Sequence, residues 1–226
     1  PKEYLINRKK KMGNDSDYVK VLIEKTGRRI IISSSTRMKI STLKNNTIKY
    51  NGKGKKFVFI PERIKEPVVI ESWGSFLKLN GKEYRGMLEL HNVMGKLYVI
   101  NVLRMYEYLY GVLPAEIMSG WPGESLKAQA VAARTYAYHH IMKSKTGIYD
   151  LDATTKFQVY KGRSIENPRT NRAVNKTCGE IAVYNNKPIV AFFHSTCGGF
   201  TVDDTLVWSG SDMQYLKSVQ CPYCKG

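Results

Sequence analysis

Along the first hundred residues apolar and polar positions alternate in short runs. Tyr18-Val19-Lys20-Val21-Leu22-Ile23 and Arg29-Ile30-Ile31-Ile32-Ser33 are β-branched stretches separated by Lys25-Thr26-Gly27. Period-two runs bounded by turn residues predict strands, and the short separation predicts that these two form a hairpin. Residue 40 and residues 48–50, 56–60, 68–70 and 76–79 repeat the pattern, each run bounded by Gly, Asn or Pro. Asn80-Gly81 stands between residues 77–79 and a run at 84–90, and Asn-Gly tolerates the positive φ of a tight hairpin turn. A last strand is expected at residues 96–102.

From Arg104 the period changes. Residues 106–112 predict a short helix, and a stronger one runs from about Gly123 to about Lys145, rich in Ala and free of Gly and Pro until Gly147. Leu126, Ala130, Ala133, Ala137 and Ile141 form an apolar stripe on it, small enough for another element to approach closely. Lys127, Val131, Arg134 and Tyr138 form a second stripe. Two cations and a phenol on one face point to a binding role, against the plainer reading in which both cations face water. Beyond Gly147, strands are expected at residues 158–160, 180–184 and 188–193, with Asn185-Asn186 as the turn between the last two, and a short helix at residues 167–177. The expected class is α+β: mostly β, with a central Ala-rich helix packed on the sheets and a β-rich N-terminal part. Residues 1–17, polar and ending near Gly13-Asn14-Asp15-Ser16, are read as a mobile arm or linker. Residues 18–226 are read as one domain, 18–102 being its β-rich part and 103–226 the part with the long helix.

Charge adds a question of partners. The 226 residues carry a formal charge of +17; residues 1–100 hold 22 Lys and Arg against 9 acidic residues, and residues 101–226 hold 14 against 10. Such an excess attracts polyanions, so nucleic acid, acidic membrane and the anionic polymers of a bacterial wall all qualify. No nucleic-acid-binding motif accompanies the charge, and nucleic acid is not expected as a partner. No run approaches the ~18 to 20 apolar residues that span a bilayer. The chain starts at Pro1 and is read as a processed or trimmed piece, so a membrane is expected to matter only through an N-terminal anchor already removed.

Four segments in order, Tyr84-Arg-Gly-Met-Leu-Glu-Leu90, Leu97-Tyr-Val-Ile-Asn-Val-Leu103, Glu107-Tyr-Leu-Tyr-Gly-Val-Leu-Pro-Ala-Glu116 and Leu126-Lys-Ala-Gln-Ala-Val-Ala-Ala-Arg-Thr-Tyr136, resemble successive signatures of the SpoIID/LytB family. The resemblance continues through Phe157-Gln-Val-Tyr-Lys-Gly162, Phe193-His-Ser-Thr-Cys-Gly-Gly199, Val207-Trp208 and Tyr215-Leu-Lys-Ser-Val219, and spans roughly residues 18 to 220. It implies a lytic transglycosylase that cleaves peptide-free peptidoglycan glycan strands between N-acetylmuramic acid and N-acetylglucosamine. The alternative it implies is a non-catalytic, wall-binding enhancer of a cell-wall amidase. Either way the expected location is extracytoplasmic, secreted, periplasmic or tethered facing the wall, with glycan strands and other wall-remodelling proteins as partners. The family's catalytic carboxylate falls on Glu116; Ile117 stands where many members have Met. Its cleft residues fall on Lys127, Arg134, His194 and Ser195. Members usually continue past the position of Gly226.

Hydrolytic glycosidases pair two carboxylates. A lytic transglycosylase can manage with one, because the C6 hydroxyl of muramic acid closes a 1,6-anhydro ring, so Glu116 would serve as both general acid and general base with no cofactor required. A general acid works with a pKa near the working pH, whereas Lys127 and Arg134 beside it would favour the ionised form. The cations are therefore assigned to substrate binding, and Glu124, Asp150 and Asp152 are held as second carboxylates for an ordinary hydrolase. Tyr160 and Trp208 are candidates for sugar stacking, against core packing. His194 ends an expected strand and precedes small polar residues where backbone can approach a ligand.

Of the four cysteines, Cys221 and Cys224 form a Cys-x2-Cys pair, and Cys197 is the expected third ligand of a structural zinc, with His194 or Cys178 as the fourth. A disulfide and uncombined thiols are the competing readings. A thioredoxin-like redox pair is discounted, since no strand-to-helix context follows Cys224. Some relatives carry zinc on a His and Cys cluster corresponding to residues 149–160, where this chain has neither residue type.

Overall fold

The computed structural model describes residues 18–144 and 147–223, so the expected arm at residues 1–17 lies outside it. The β-rich part contains β1 (Tyr18–Thr26), β2 (Ile30–Ser33), β3 (Arg37–Thr42), β4 (Ile48–Lys53), β5 (Lys56–Phe59), β6 (Val68–Ser72), β7 (Leu77–Leu79), β8 (Lys82–Tyr84), β9 (Met87–Val93) and β10 (Lys96–Arg104). Then come α1 (Met105–Glu116), α2 (Gly123–Lys143), β11 (Leu151–Asp152), α3 (Pro168–Lys176), β12 (Val183–Tyr184), β13 (Lys187–Pro188) and α4 (Asp204–Val207). The class is α+β, as expected.

Seven strands form one sheet in the order β11-β1-β10-β9-β6-β3-β4, and four form a second in the order β5-β2-β7-β8. The expected β1–β2 hairpin does not form. β1 instead pairs antiparallel with β10 from Tyr18↔Arg104 to Thr26↔Leu97, while β2 pairs with β5 and β7. Local spacing favoured the hairpin, but burial decides. Val19 and Val21 are fully buried beside Leu103 and Asn101, and Ile30 and Ile32 fill the inner face of the small sheet with Leu77 and Leu79. The Asn80-Gly81 turn does form, with φ of 49° and 89° between paired Leu79 and Lys82. The apolar run at residues 84–90 is broken at Gly86, φ 69°, where a Cβ would lie 2.2 Å from the Val102 carbonyl oxygen.

The first stripe of α2 is covered, and the second is covered in part. Leu126, Ala130, Ala133 and Ala137 are buried as expected, and Arg134 and Tyr138 on the second stripe are buried as well. α1 buries Tyr108, Leu109, Val112 and Leu113 completely and continues four residues past its expected end, through Pro114. Pro114 has no N–H to give the Tyr110 carbonyl, and α1 ends two residues later. Ile117 N–H still donates to the Leu113 carbonyl at 3.0 Å, so Glu116 is presented at the C-terminal end of α1.

Residues 158–160 and 189–193, expected as strands, take irregular conformations. The helix expected at 167–177 is α3, with the Asn167 side chain capping its start by accepting from Arg169 N–H. Asn185 and Asn186, at φ 48° and 59°, make the turn between β12 and β13.

Candidate functional site

Glu116 lines a cleft of about 340 Å³ together with Tyr136, Lys156, Phe157, Phe192 and Phe193. Its carboxylate oxygen Oε1 accepts the Val159 backbone N–H at 3.2 Å. That contact depends on the irregular backbone of residues 158–160, because a strand there would have turned the N–H toward a neighbouring strand. Tyr108, fully buried in α1, donates to Gln158 Oε1 at 3.2 Å and so ties the same segment to the helix that carries Glu116.

Tyr136 adds a phenol to the cleft. Burial raises its pKa, and the carboxylates of Asp152 and Glu116 raise it further, so the hydroxyl stays protonated and is a hydrogen-bond donor. Phe157 and Phe192 extend the wall; His140 packs between Tyr136 and Phe157, with ring centroids 4.3 and 5.1 Å away. Among the described residues the cleft thus combines one half-buried carboxylate, one phenol and three phenylalanine rings with a single cation, Lys156.

Phe192 is shared with a second groove of about 430 Å³ that includes His194, Cys197, Phe200, Trp208 and Lys217. Phe192 and Trp208 stack at 4.5 Å between centroids, with planes 23° apart. Both rings remain partly exposed, 44% and 43%, enough to present an aromatic face to a ligand.

The expected site residues therefore separate. Glu116 stands in its cleft, and His194 is exposed in the adjoining groove, which the exposed Ser195 does not line. Lys127 is elsewhere: its Nζ donates to Glu124 at 2.6 Å, in a different hollow between α2 and α3. Arg134 does not reach the cleft either. It is 3% exposed, and its guanidinium donates to the carbonyls of Val174 at 3.1 Å and Glu180 at 3.0 Å and to Thr177 Oγ1. Burial lowers its pKa, and the carbonyls at the C-terminal end of α3 compensate for part of that cost. Tyr160 is 5% exposed and packed in the core, where its hydroxyl donates to Asn101 Oδ1 at 2.8 Å and its ring meets Tyr108.

Among the reserve carboxylates, Glu124 is engaged by Lys127, and Asp150 accepts the Lys20 N–H at 2.9 Å. Asp152 caps a turn by accepting from Thr154 N–H, and its charge acts on Tyr136 together with that of Glu116. Tyr136, Phe157, Val159 and Phe192 were not singled out from sequence. Tyr136 and Phe157 lie within the quoted motifs, but a ring in a motif looks the same whether it fills a core or walls a cleft.

The cysteine segments come together in part. Cys221 N–H donates to the Gly199 carbonyl at 2.7 Å, and Phe200 and Gln220 form an antiparallel bridge, so the loop after Cys197 runs beside Cys221. Cys178 is exposed just past α3, near Arg134, and Cys224 lies outside the described residues. Among the described residues no three His, Cys, Asp or Glu side chains are grouped as a metal ion would need.

Residues 93–184 match the family described as stage II sporulation protein, SpoIID. Over that span the chain is similar to the SpoIID family. The matched span holds Glu116, Lys127, Arg134 and Tyr160 and stops short of His194 and the groove around it. Over 103 residues the chain is 47% identical to the amidase enhancer of Bacillus subtilis (46% of this chain, 14% of that protein). Over 135 residues it is 38% identical to stage II sporulation protein D of the same organism (53% and 39%). Over 161 residues it is 44% identical to an uncharacterized protein of Brachyspira hyodysenteriae (71% and 43%). The chain spans less than half the length of each of these relatives.

Proposed function

We propose that this chain serves the cell wall as a peptidoglycan lytic transglycosylase, facing the wall and using Glu116 as general acid and base. The observation that carries this reading is the setting of Glu116: a carboxylate at the end of α1, held by one backbone N–H and walled by aromatic rings in a cleft open to a ligand. Aromatic walls suit sugar rings, whose C–H faces pack against them while their hydroxyls meet polar groups such as the Tyr136 phenol. Neither Lys127 nor Arg134 lines the cleft, so of these three cations only Lys156 stands beside the carboxyl.

The reaction needs one proton-carrying group. Protonated Glu116 hands its proton to the oxygen that links muramic acid C1 to N-acetylglucosamine, and the C1–O bond breaks. The C6 hydroxyl oxygen then bonds to C1 while Glu116 takes back the hydroxyl proton. A 1,6-anhydro end and a new sugar hydroxyl result, and no water is consumed. Mass spectrometry of peptide-free glycan strands incubated with the protein tests this. Anhydro-muramic products are expected, and they disappear with Glu116→Ala; hydrated reducing ends instead would reassign the chain as a hydrolase with Asp152 as the second carboxylate to examine.

The second reading, a wall-binding enhancer of an amidase, draws on the 47% identity to the Bacillus amidase enhancer. It predicts retention on insoluble peptidoglycan that Glu116→Ala leaves unchanged, no glycan product, and faster amide cleavage when an amidase is added. We also propose a structural zinc on Cys197, Cys221 and Cys224, with His194 or Cys178 as fourth ligand; a metal assay on the same sample should find about one equivalent if four ligands converge. No step of the reaction depends on it.

A further inference from the structure

The hollow that receives Lys127 has a chemistry of its own. It measures about 240 Å³ and lies between the start of α2 and the exposed face of α3, sharing no residue with the Glu116 cleft. Lys127, Arg169, Arg172 and Lys176 line it, with Glu124 as the acidic member. Residues 101–226 hold 14 basic against 10 acidic residues, so a hollow with four cations and one carboxylate gathers most of the surplus of that whole part of the chain.

This gathering has a cost that Glu124, paired with Lys127 at 2.6 Å, offsets only in part. α3 carries Arg169, Arg172 and Lys176 at spacings of three and four, on one face, and has no acidic residue. Like charges at those spacings oppose helix formation. The other face of α3 explains why the helix forms regardless: Thr170, Ala173 and Val174 are buried, and Asn167 caps its start. Two further features converge on the hollow. Arg169 Nη2 donates to the Trp121 carbonyl at 3.1 Å, which fixes one guanidinium at the rim. The first turn of α2 follows Pro122, which offers no side-chain acceptor, and its N–H groups add positive potential, against which Glu124 in the same turn sets one negative charge.

We propose that this hollow binds the phosphodiester groups of a linear anionic polymer. Guanidinium forks match phosphate oxygens, and the row from Arg169 to Lys176 extends roughly 10 Å along α3, longer than one ion requires and suited to successive phosphates on a chain. Such a site would hold the protein on a phosphate-bearing matrix without occupying the cleft of Glu116, and it does not depend on the reaction proposed there.

The test titrates the whole chain with poly(glycerol phosphate), with inorganic phosphate and with phosphatidylglycerol vesicles, at several salt concentrations. The polymer is expected to bind with steep salt dependence. Arg172→Glu with Lys176→Glu should weaken it at least tenfold and flatten the salt slope, while the exposed pair Lys44→Glu with Lys65→Glu, the same charge change made in the sheet part, should cost less than twofold. Melting curves confirm that both doubles are folded, and Arg172→Gln with Lys176→Gln should fall between wild type and reversal. Equal losses from the two reversal pairs would reduce the site to the general charge of the protein and overturn the proposal. So would inorganic phosphate competing as well as the polymer per phosphate, or vesicles binding more tightly than the polymer.

Discussion

Glu116 and Arg134 sit on packed neighbouring helices, α1 and α2, and each departs from the usual place of a charged residue at the surface. Glu116 has one N–H on its carboxylate, and aromatic rings, Thr155 and Lys156 line the open cleft around it. Arg134 does the reverse, giving its guanidinium to two backbone carbonyls and a hydroxyl and sealing the seam between α2 and the end of α3. An exposed edge left on a charged group is capacity for chemistry, and a fully engaged charge is architecture. Two residues that the family pattern groups together are thus placed differently, one lining a cleft and the other holding two helices together.

The sharpest way to break that division is a pair of substitutions with opposite readouts. Glu116→Gln keeps an oxygen for the Val159 N–H, so its unfolding free energy should stay within the roughly ±0.5 kcal/mol of an ordinary surface change, while anhydro-product formation falls by about 10² to 10⁴. Arg134→Ala should do the opposite. A buried side chain is deleted and the carbonyls of Val174 and Glu180 lose their donor, a loss on the order of 3 to 5 kcal/mol, with turnover per folded molecule largely kept. Denaturant titration beside the glycan assay reads both. If Arg134→Ala instead abolished turnover in a protein of undiminished stability, the assignment of Arg134 to architecture would fall.

Tyr160 sharpens the same comparison on a smaller scale. Tyr160→Phe keeps the ring against Tyr108 and removes one buried donor, leaving Asn101 Oδ1 without it, so about 1 to 3 kcal/mol of stability should go with no change in glycan affinity. Weaker glycan binding at full stability would restore the expected stacking role.

What could be read from sequence follows from how local each signal is. The Asn80-Gly81 turn, the Ala-rich stripe of α2 and the capped α3 were legible because the residues that specify them are within a few positions of one another. The partner of β1 was not, since β10 is some eighty residues away and only the shared core selects it over β2. The cleft was half legible. Glu116 came from a motif, but its rings come from α2, from residues 155–159 and from residues 192–193, and the irregular backbone that aims Val159 N–H has no sequence period at all. That Lys127 and Arg134 do not line the Glu116 cleft was not legible for a related reason: helical spacing says which residues share a stripe and is silent about what covers it.

His140 offers the smallest and most specific check on the region behind the cleft. Burial pushes its pKa down from the ordinary 6.5 to about 4, and the nearby charges of His139 and Lys143 act in the same direction. The ring is neutral in the folded chain at neutral pH, and the unfolded chain binds its proton first as pH falls. Between about pH 6.5 and 4 the unfolded state therefore holds more protons, so stability is complete above this window and is progressively lost on acidification through it. Other groups titrate here too, and the contribution of His140 appears as a difference. His140→Gln, which does not titrate, should lower the melting temperature at pH 7 slightly and make its fall between pH 6.5 and 4 shallower than in the wild type. Because His140 packs on Tyr136 and Phe157, a parallel acid slope in both proteins would mean that the ring is hydrated and that the wall of the Glu116 cleft is looser than its packing indicates.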